Sequence, residues 1–285
     1  MPTPHHTTHA GVEVPQLIYG TAWKKERTAS LVEQALNAGF RGVDTACQPK
    51  HYNEPGVGEG LASALSGGLE RQDIFVQTKF TSLGGQDPAR IPYDAEAPLT
   101  DQVFQSFERS LANLRTTWLD SLVLHSPPRR HRDLMLVWRA FESLHGQGLV
   151  RQLGVSNCYD EAVFARLFAE AKVKPAVLQN RFYKRSGYDR GLREICRRDQ
   201  VVYQSFWTLT ANPHLLSSRP VKAAAERHHR SPAQVLFRAL TQCGVAPLTG
   251  TTSAQHMAQD LDIFSFTLED NDLSQIRPLF ESGSA

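Results

Sequence analysis

The sequence has few cysteines and lacks any long hydrophobic run. Its 285 residues include four cysteines, and no two of them have Cys-x-x-Cys spacing. This pattern argues against a zinc site or a disulfide framework and favours a reducing compartment, so we expect a cytoplasmic protein that binds no metal. No apolar run approaches the roughly 18 residues of a membrane-spanning helix, and no basic stretch leads into an apolar one at the N-terminus. We therefore expect neither a membrane segment nor a signal peptide, and we expect residues 1–14 to be a flexible, frayed terminus.

A large excess of charge of either sign is also absent. The chain has 31 Lys and Arg residues against 29 Asp and Glu residues, a formal net charge of +2. The basic runs 129–132 and 226–230 are short and contain no interleaved aromatic residues. We interpret them as exposed helix ends rather than as a nucleic-acid-binding surface. The expected protein is a monomer or weak dimer whose partner is a small molecule, not a nucleic acid or a membrane.

What the sequence does have is a repeated alternation of short apolar runs and longer amphipathic segments. Apolar strands separated by helices indicate parallel pairing with both faces of the sheet covered. Eight such units predict an α/β fold, a (β/α)8 TIM barrel that forms a single domain over residues 1–285. The predicted strands are 16–20, 41–45, 74–80, 119–125, 150–157, 175–180, 201–207 and 245–250, and the main predicted helices are 28–38, 57–65, 100–114, 135–148, 160–173, 187–199 and 231–244.

The alternative architecture is a doubly wound open sheet that binds a dinucleotide. Such a fold needs a Gly-x-Gly-x-x-Gly turn after an early strand, and none follows either of the first two predicted strands. The run GVGEG at 56–60 lies within a helical pattern and is interpreted as the start of a helix. The barrel is therefore the favoured prediction.

Polar side chains stand at the carboxyl ends of five predicted strands. In a barrel these ends meet at one face, where catalytic residues collect. Any one of these side chains alone is as readily explained by packing or helix capping, whereas their shared location favours a functional site. The residues are Asp44, Lys79, His125, Ser156, Asn157 and Gln179.

Three of these polar residues, together with a tyrosine in a nearby loop, are suited to moving a proton. A buried Lys79 needs a counter-charge, and Asp44 is the natural partner. Tyr52, in the loop after Asp44, is within reach of this lysine, whose ammonium group is expected to move the pKa of the phenol toward neutrality. With His125 nearby, the set is an acid–base unit for delivering a proton to a carbonyl oxygen.

With these residues identified, the chain from about Gln16 to Phe266 resembles the aldo-keto reductase superfamily, and most closely its fungal members. The family's fold is a (β/α)8 barrel that binds a nicotinamide cofactor without a Rossmann domain. The resemblance implies a catalytic tetrad of Asp44, Tyr52, Lys79 and His125. The segments GVSN at 154–157 and SPAQVLFRAL at 231–240 also match the family's motifs.

The resemblance implies reduction of an aldehyde or ketone by hydride transfer, with Tyr52 protonating the oxygen and His125 orienting the carbonyl. It implies NADPH as the cofactor, with NADH as the alternative. The implied cofactor-binding residues are Gly20, Thr21, Ala22, Asp44, Ser156, Asn157, Gln179, Phe206, Trp207, Leu209, Gly250, Thr251, Thr252, His256, Gln259 and Asp260; the implied substrate pocket contains Trp23, Tyr52 and His125.

Two departures from the family pattern bear on these assignments. Tyr52 of DTACQPKHYNE follows Asp44 by eight positions, three more than in the family's DTAxxYxNE, which leaves Lys50 and His51 as alternative site residues. The family's phosphate signature, IPKSxxxxR, has Gly250 in place of the Lys and His256 in place of the Arg. Fixed cations usually hold a 2′-phosphate, so losing both weakens the case for strict NADPH use.

The substrate pocket is the least specified part. Trp23, Trp207 and Phe182 suggest an aromatic mouth suited to an apolar or aromatic carbonyl compound. The long segment 81–99 is a candidate lid. Two other functions stay open: a cofactor-binding regulatory barrel, as in potassium-channel β-subunits, and a barrel enzyme that has abandoned hydride transfer.

Overall fold

The computed structural model describes residues 3–281, and its centre is a closed barrel of eight parallel strands. Each barrel strand lies beside its neighbours in sequence, and the last strand closes on the first. All eight predicted strands are confirmed. They are β3 (Ile18–Gly20), β4 (Gly42–Asp44), β5 (Phe75–Phe80), β6 (Leu119–Leu124), β7 (Val150–Ser156), β8 (Val177–Arg181), β9 (Val202–Phe206) and β10 (Val245–Thr249).

Helices surround the barrel and bury their apolar faces against it. Side chains such as Trp138, Phe141 and Phe164 are fully buried between the helices and the outer face of the strands. The helices are α1 (Thr28–Ala38), α2 (Glu54–Ser66), α3 (Leu99–Leu114), α4 (His131–Gly146), α5 (Glu161–Glu170), α6 (Arg190–Arg198), α7 (Pro213–Leu216), α8 (Arg219–His228), α9 (Pro232–Gln242), α10 (Ala254–Leu261), α11 (Asp270–Ile276) and α12 (Pro278–Glu281).

Local sequence explains where several helices begin. Ser231 caps α9 in a reciprocal capping box with Gln234, and Pro232 occupies the first helical position. Asn53 caps α2 by accepting a hydrogen bond from the backbone of Gly56, so the run GVGEG lies inside a helix and is not a nucleotide loop. Helix α8 was not predicted, because RPVKAAAERH is too polar to stand out as an amphipathic repeat.

The N-terminal segment is ordered, so the prediction of a frayed terminus over residues 1–14 is wrong for the part described. Strands β1 (His5–Thr7) and β2 (Glu13–Pro15) form an antiparallel hairpin. The Thr8 hydroxyl donates to Gln152 Oε1 over 2.9 Å, and Val14 is fully buried against the barrel interior with Ile18 and Phe75. The hairpin therefore closes the amino-terminal end of the barrel, opposite the strand ends that carry the polar residues.

Helices α1, α2 and α3 approach one another closely next to the predicted site. A Cβ atom on Gly58 would overlap the carbonyl oxygen of Asn113 in α3, and one on Gly60 would lie 2.6 Å from that of Ala29 in α1. Only glycine fits at such a backbone approach. The position of α2, which follows directly after Tyr52, is thus fixed by contact with its neighbours on both sides.

Candidate active site

A buried ion pair stands at the centre of the barrel mouth. Lys79 Nζ donates to Asp44 Oδ2 over 2.6 Å and to the carbonyl oxygen of Thr45 over 2.8 Å, and both side chains are almost fully buried. Burial lowers the pKa of Lys79, while the adjacent Asp44 carboxylate raises it. The pairing expected from the sequence is therefore present, between the end of β4 and the fifth residue of β5.

Two glutamines beneath this pair hold the other oxygen of Asp44, and a third glutamine links the two. Gln77 Nε2 and Gln179 Nε2 donate to Asp44 Oδ1 over 2.7 and 2.9 Å. Both amides also donate to Gln204 Oε1 over 2.8 Å. Gln77 and Gln204 were missed by sequence reasoning; the available signal was a polar residue in the middle of an otherwise apolar strand. The network holds the Asp44 carboxylate in place, and the amide nitrogen of Gln179 is used in hydrogen bonds to Asp44 and Gln204.

Tyr52 packs against the ion pair from the loop after β4. Its ring centroid lies 5.3 Å from Lys79 Nζ and 6.1 Å from the His125 ring, which it meets edge-on. Burial and the Asp44 carboxylate raise the pKa of Tyr52. The prediction that this pKa moves toward neutrality is therefore wrong, because burial of the phenol and the nearby Asp44 carboxylate both disfavour the phenolate. The phenol keeps its proton at neutral pH.

His125 follows β6 and completes the cluster. Burial, with the positive charge of Lys79, lowers the pKa of His125 to about 3. Its Nδ1 lies 2.6 Å from the hydroxyl of Thr81, a residue that sequence reasoning did not single out. The imidazole is thus neutral at physiological pH and oriented through Nδ1. The structure brings all four residues of the predicted tetrad together.

The lengthened loop between Asp44 and Tyr52 lines one wall of a cavity. The Trp23 ring stacks on His51 at 4.1 Å between centroids, and Trp23 remains 59% exposed. The cavity has a volume of about 660 Å³ and adjoins Tyr52. Its rim carries four cationic side chains, Lys25, Lys50, Arg90 and Arg109.

The predicted aromatic mouth is only partly present. Phe182 is fully buried against Tyr188 and Phe280, so its prediction as a mouth residue is wrong. Trp207 is 50% exposed and has the Arg181 guanidinium over its ring at 4.1 Å. Cations, more than aromatic rings, therefore border the openings of this face.

Segment 81–99 is anchored to the barrel. The Tyr93 hydroxyl and Gln86 Nε2 both donate to the carbonyl oxygen of Thr81, over 2.7 and 3.1 Å. Gln86 also donates to the carbonyl oxygen of Cys47 over 3.0 Å. Of these three bonds, only the one to Cys47 leaves the segment, so movement of the whole segment as a lid would break that bond.

The residues implied in nicotinamide binding lie around the same mouth. Thr21 donates through its hydroxyl to the carbonyl oxygen of Asp44 over 2.9 Å, which fixes the Gly20–Ala22 turn beside the ion pair. Asn157 has a left-handed backbone conformation, with φ of 53°, and donates to the carbonyl oxygen of His125 over 2.8 Å. Ser156 is fully buried beside it. Phe206 ends β9, and Trp207 and Leu209 follow it.

At the end of β10 a cation reaches the position where the signature lysine is missing. The Lys24 ammonium donates to the carbonyl oxygen of Gly250, and a Cβ on Gly250 would lie 3.3 Å from Lys24 Nζ. Arg27 Nη2 donates to the carbonyl oxygen of Thr252 over 3.5 Å. Lys24 is 9% exposed and has no carboxylate partner among residues 3–281. Sequence reasoning missed both residues because they lie more than 200 positions away in the chain.

The last implied residues belong to α10. Ser253 caps this helix by accepting a hydrogen bond from the backbone N–H of His256. Asp260 is buried and accepts a hydrogen bond from the Thr249 hydroxyl over 2.7 Å. Gln259, the residue before it, takes no part in this hydrogen bond. Burial raises the pKa of Asp260 to about 6. The Thr251 hydroxyl accepts from the N–H of Ser253, which turns the chain into the helix.

These features fit a nicotinamide dinucleotide. An exposed indole at Trp207, a nearly buried ammonium at Lys24 and the amino terminus of α10 surround the same end of the barrel as the acid–base cluster. An aromatic face, a cation and a helix terminus are groups that bind a nucleotide and its phosphates. Within residues 3–281, no three His, Cys, Asp or Glu side chains group as metal ligands.

Comparison with known proteins agrees with this geometry. The model of the family described as "Aldo/keto reductase family" matches residues 16–281. The chain is 30% identical over 275 residues to a glyoxal reductase of Bacillus subtilis, with 95% of this chain and 91% of the relative covered. It is 30% identical over 305 residues to an NAD(P)H-dependent D-xylose reductase of Hypocrea jecorina, with coverages of 97% and 92%.

A solved structure shares the whole architecture. An aldo/keto reductase from Brucella melitensis superimposes with a TM-score of 0.82 at 29% identity, and the match covers 97% of this chain and 99% of that one. In the described part of the chain, none of the helices has the length and apolar character to cross a membrane.

Proposed function

This chain belongs to the aldo/keto reductase family and is an NAD(P)H-dependent oxidoreductase that reduces carbonyl groups, and from that premise we propose that Tyr52 is its proton donor. The observation that carries the proposal is the buried Lys79–Asp44 pair, with the Tyr52 and His125 rings packed against it.

The raised pKa of Tyr52 suits a proton donor in the reductive direction. A phenol that keeps its proton at neutral pH is in the form that reduction consumes. When bound, the reduced nicotinamide supplies the hydride, and the carbonyl oxygen then becomes far more basic than phenolate. Tyr52 gives up its proton at that moment, and the Lys79 ammonium 5.3 Å from its ring stabilises the phenolate that remains.

His125 has a different task in this proposal. With a pKa of about 3 it stays neutral, so it orients the carbonyl by hydrogen bonding and does not deliver the proton. The T-shaped contact with Tyr52 keeps the two rings on either side of one point at the barrel mouth. A carbonyl oxygen at that point meets both groups.

For the cofactor we propose a preference for NADPH. Lys24 and Arg27 bring positive charge to residues 250–252, where the sequence has lost the family's lysine. The two cations support binding of an adenosine 2′-phosphate despite Gly250 and His256. We further propose a cytoplasmic location, supported by four cysteines that form no disulfide.

The substrate class that we propose is a small polar aldehyde. The cationic rim formed by Lys25, Lys50, Arg90 and Arg109 suits hydroxylated or anionic groups better than a hydrocarbon tail. Relatives named as glyoxal and D-xylose reductases support this choice. It replaces the aromatic carbonyl expected from the sequence.

A nucleotide titration followed by turnover tests the proposal. Quenching of the fluorescence of the four Trp residues reports binding of NADPH and NADH. Oxidation of NADPH in the presence of glyoxal, D-xylose or benzaldehyde then ranks the substrates. Quenching without turnover of any of the three would favour the regulatory barrel, and absence of quenching would favour a non-redox enzyme.

A further inference from the structure

The hydroxyl of Thr81 makes a single hydrogen bond, and that bond goes to the catalytic cluster. Thr81 follows β5 and is 5% exposed. Its Oγ1 lies 2.6 Å from His125 Nδ1 and has no second partner among the residues that the structure describes. Among the described residues, His125 is therefore the only hydrogen-bond partner of this buried hydroxyl.

The direction of this hydrogen bond follows from counting donors. The imidazole of His125 is neutral, so it carries one N–H group. If Nδ1 carried the hydrogen, the hydroxyl would accept it and its own O–H would point at no acceptor. If the hydroxyl donates instead, both groups are satisfied, because an sp² nitrogen lone pair is a good acceptor.

On this basis, and resting on the carbonyl reduction proposed above, we propose that Thr81 is a positioning residue that holds His125 in the tautomer with hydrogen on Nε2. His125 then presents a neutral N–H donor, not a lone pair, to the substrate oxygen. A donor stabilises the negative charge that develops there, whereas a lone pair would repel it.

The surroundings of Thr81 fix its side chain in this orientation. A Cβ on Gly85 would lie 2.6 Å from the Thr81 methyl group, so only glycine leaves room for that methyl. The carbonyl oxygen of Thr81 accepts hydrogen bonds from Tyr93 and Gln86. Backbone and side chain are thus held by segment 81–99, which gives this long connection a role in the site.

The charged and titratable groups that face the imidazole are Lys79, Tyr52 and His51. None of them hydrogen-bonds to either ring nitrogen of His125. The Thr81 hydroxyl is therefore the one contact in the described chain that distinguishes Nδ1 from Nε2.

The test combines nitrogen-15 NMR of histidine-labelled protein with kinetics of two variants. Thr81→Val keeps the shape and removes the hydroxyl, while Thr81→Ser keeps the hydroxyl and removes the methyl. The chain has 11 histidines, so the His125 signals are assigned by their loss in His125→Gln. We expect wild type and Thr81→Ser to show hydrogen on Nε2, and Thr81→Val to show a mixture of tautomers or hydrogen on Nδ1.

In turnover, we expect kcat to fall roughly tenfold or more in Thr81→Val, with nucleotide affinity unchanged, and to recover largely in Thr81→Ser. Hydrogen on Nδ1 in the wild type would overturn the proposal even if neither variant folds. Equal tautomers and equal kcat in wild type and Thr81→Val would also overturn it. Because the spectrum is recorded without substrate, failure of the proposed reductase activity would leave the tautomer result standing on its own.

Discussion

The two ends of the implied cofactor site are built in different ways. At the catalytic end, Asp44, Lys79 and His125 each lie at the carboxyl end of a strand or directly after it. Each can therefore be recognised from the sequence around it. At the phosphate end, β10 leads into Gly250, and the positive charge comes from Lys24, far away in the chain. The positions of the catalytic side chains are set by the ends of the strands, whereas the charge at the phosphate end comes from a distant loop that packs against residue 250. Five experiments test these two modes of construction, taken from the largest expected effect to the smallest.

Replacing Tyr52 with Phe tests the catalytic end most directly. We expect kcat for carbonyl reduction to fall by roughly 10²- to 10⁴-fold, because the only proposed proton donor is lost. Affinity for NADPH, measured by Trp quenching, should hardly change. Tyr188→Phe is the matched control, since that hydroxyl bonds to His214 outside the cluster. Retention of most of the activity in Tyr52→Phe would transfer the donor role to another residue of the long loop.

Replacing Lys79 with Met tests whether the ion pair acts as one unit. The variant leaves the Asp44 carboxylate buried and unpaired, which costs about 3–5 kcal/mol of unfolding free energy. The double variant Asp44→Asn/Lys79→Met should recover most of this stability and none of the activity. Denaturant midpoints measure the first effect and turnover the second. A single variant as stable as the wild type would contradict the pairing.

Replacing Lys24 with Met tests the phosphate end. We expect the Kd for NADPH to rise about tenfold, equivalent to about 1.4 kcal/mol, because an ammonium group near residue 250 is lost. The Kd for NADH should rise less if Lys24 binds the 2′-phosphate. An equal rise for both nucleotides would assign Lys24 to the pyrophosphate instead. Lys222→Met, on the remote helix α8, is the control.

The reverse change at the same end should have a smaller effect. His256→Arg adds a cation at the first turn of α10, and we expect a few-fold gain in preference for NADPH over NADH. Gly250→Lys should add less, because the new side chain would begin 3.3 Å from the Lys24 ammonium and repel it. An unchanged ratio of affinities in His256→Arg would place the 2′-phosphate away from α10.

The pH dependence of reduction separates neutral from charged histidine. Since the pKa of His125 is about 3, the wild type should show no inflection of kcat/KM near pH 6.5 from this group. The same lowered pKa means that the unfolded chain binds more protons between pH 3 and 6.5, so His125 makes stability rise with pH in that window. An inflection near 6.5 that disappears in His125→Gln would show a charged imidazole in the working enzyme.

The fold was predictable because each strand and most helices have a local signature. Ser231 and Pro232 mark the start of α9, and each barrel strand is a short apolar run. The positions of the proposed tetrad were predictable for the same reason, since the paired strands β4 and β5 carry Asp44 and Lys79 near their carboxyl ends. Its spatial assembly is seen in the structure, and the roles of its members stay predictions.

Other parts were not predictable, because they depend on contacts between distant segments. Nothing near Gly250 in the sequence points to Lys24, and the hydrogen bond between Gln77 and Gln204 becomes visible only once the barrel closes. The raised pKa of Tyr52 escaped prediction because its largest cause is burial of the phenol, which depends on packing between segments that are distant in the sequence. Burial of Phe182 likewise depends on packing by Phe280 of helix α12, about 100 positions further along the chain.

The tight seating of α2 against its neighbours sets how this enzyme can diversify. Gly58 and Gly60 leave that helix no freedom to shift, so a substitution there that adds even one methyl group would displace the phenol that precedes it. The stretch from Gln48 to His51 contains no such close-packed glycine and carries the added length of the loop. New specificities are therefore more accessible by lengthening or shortening this stretch than by remodelling the helix that follows.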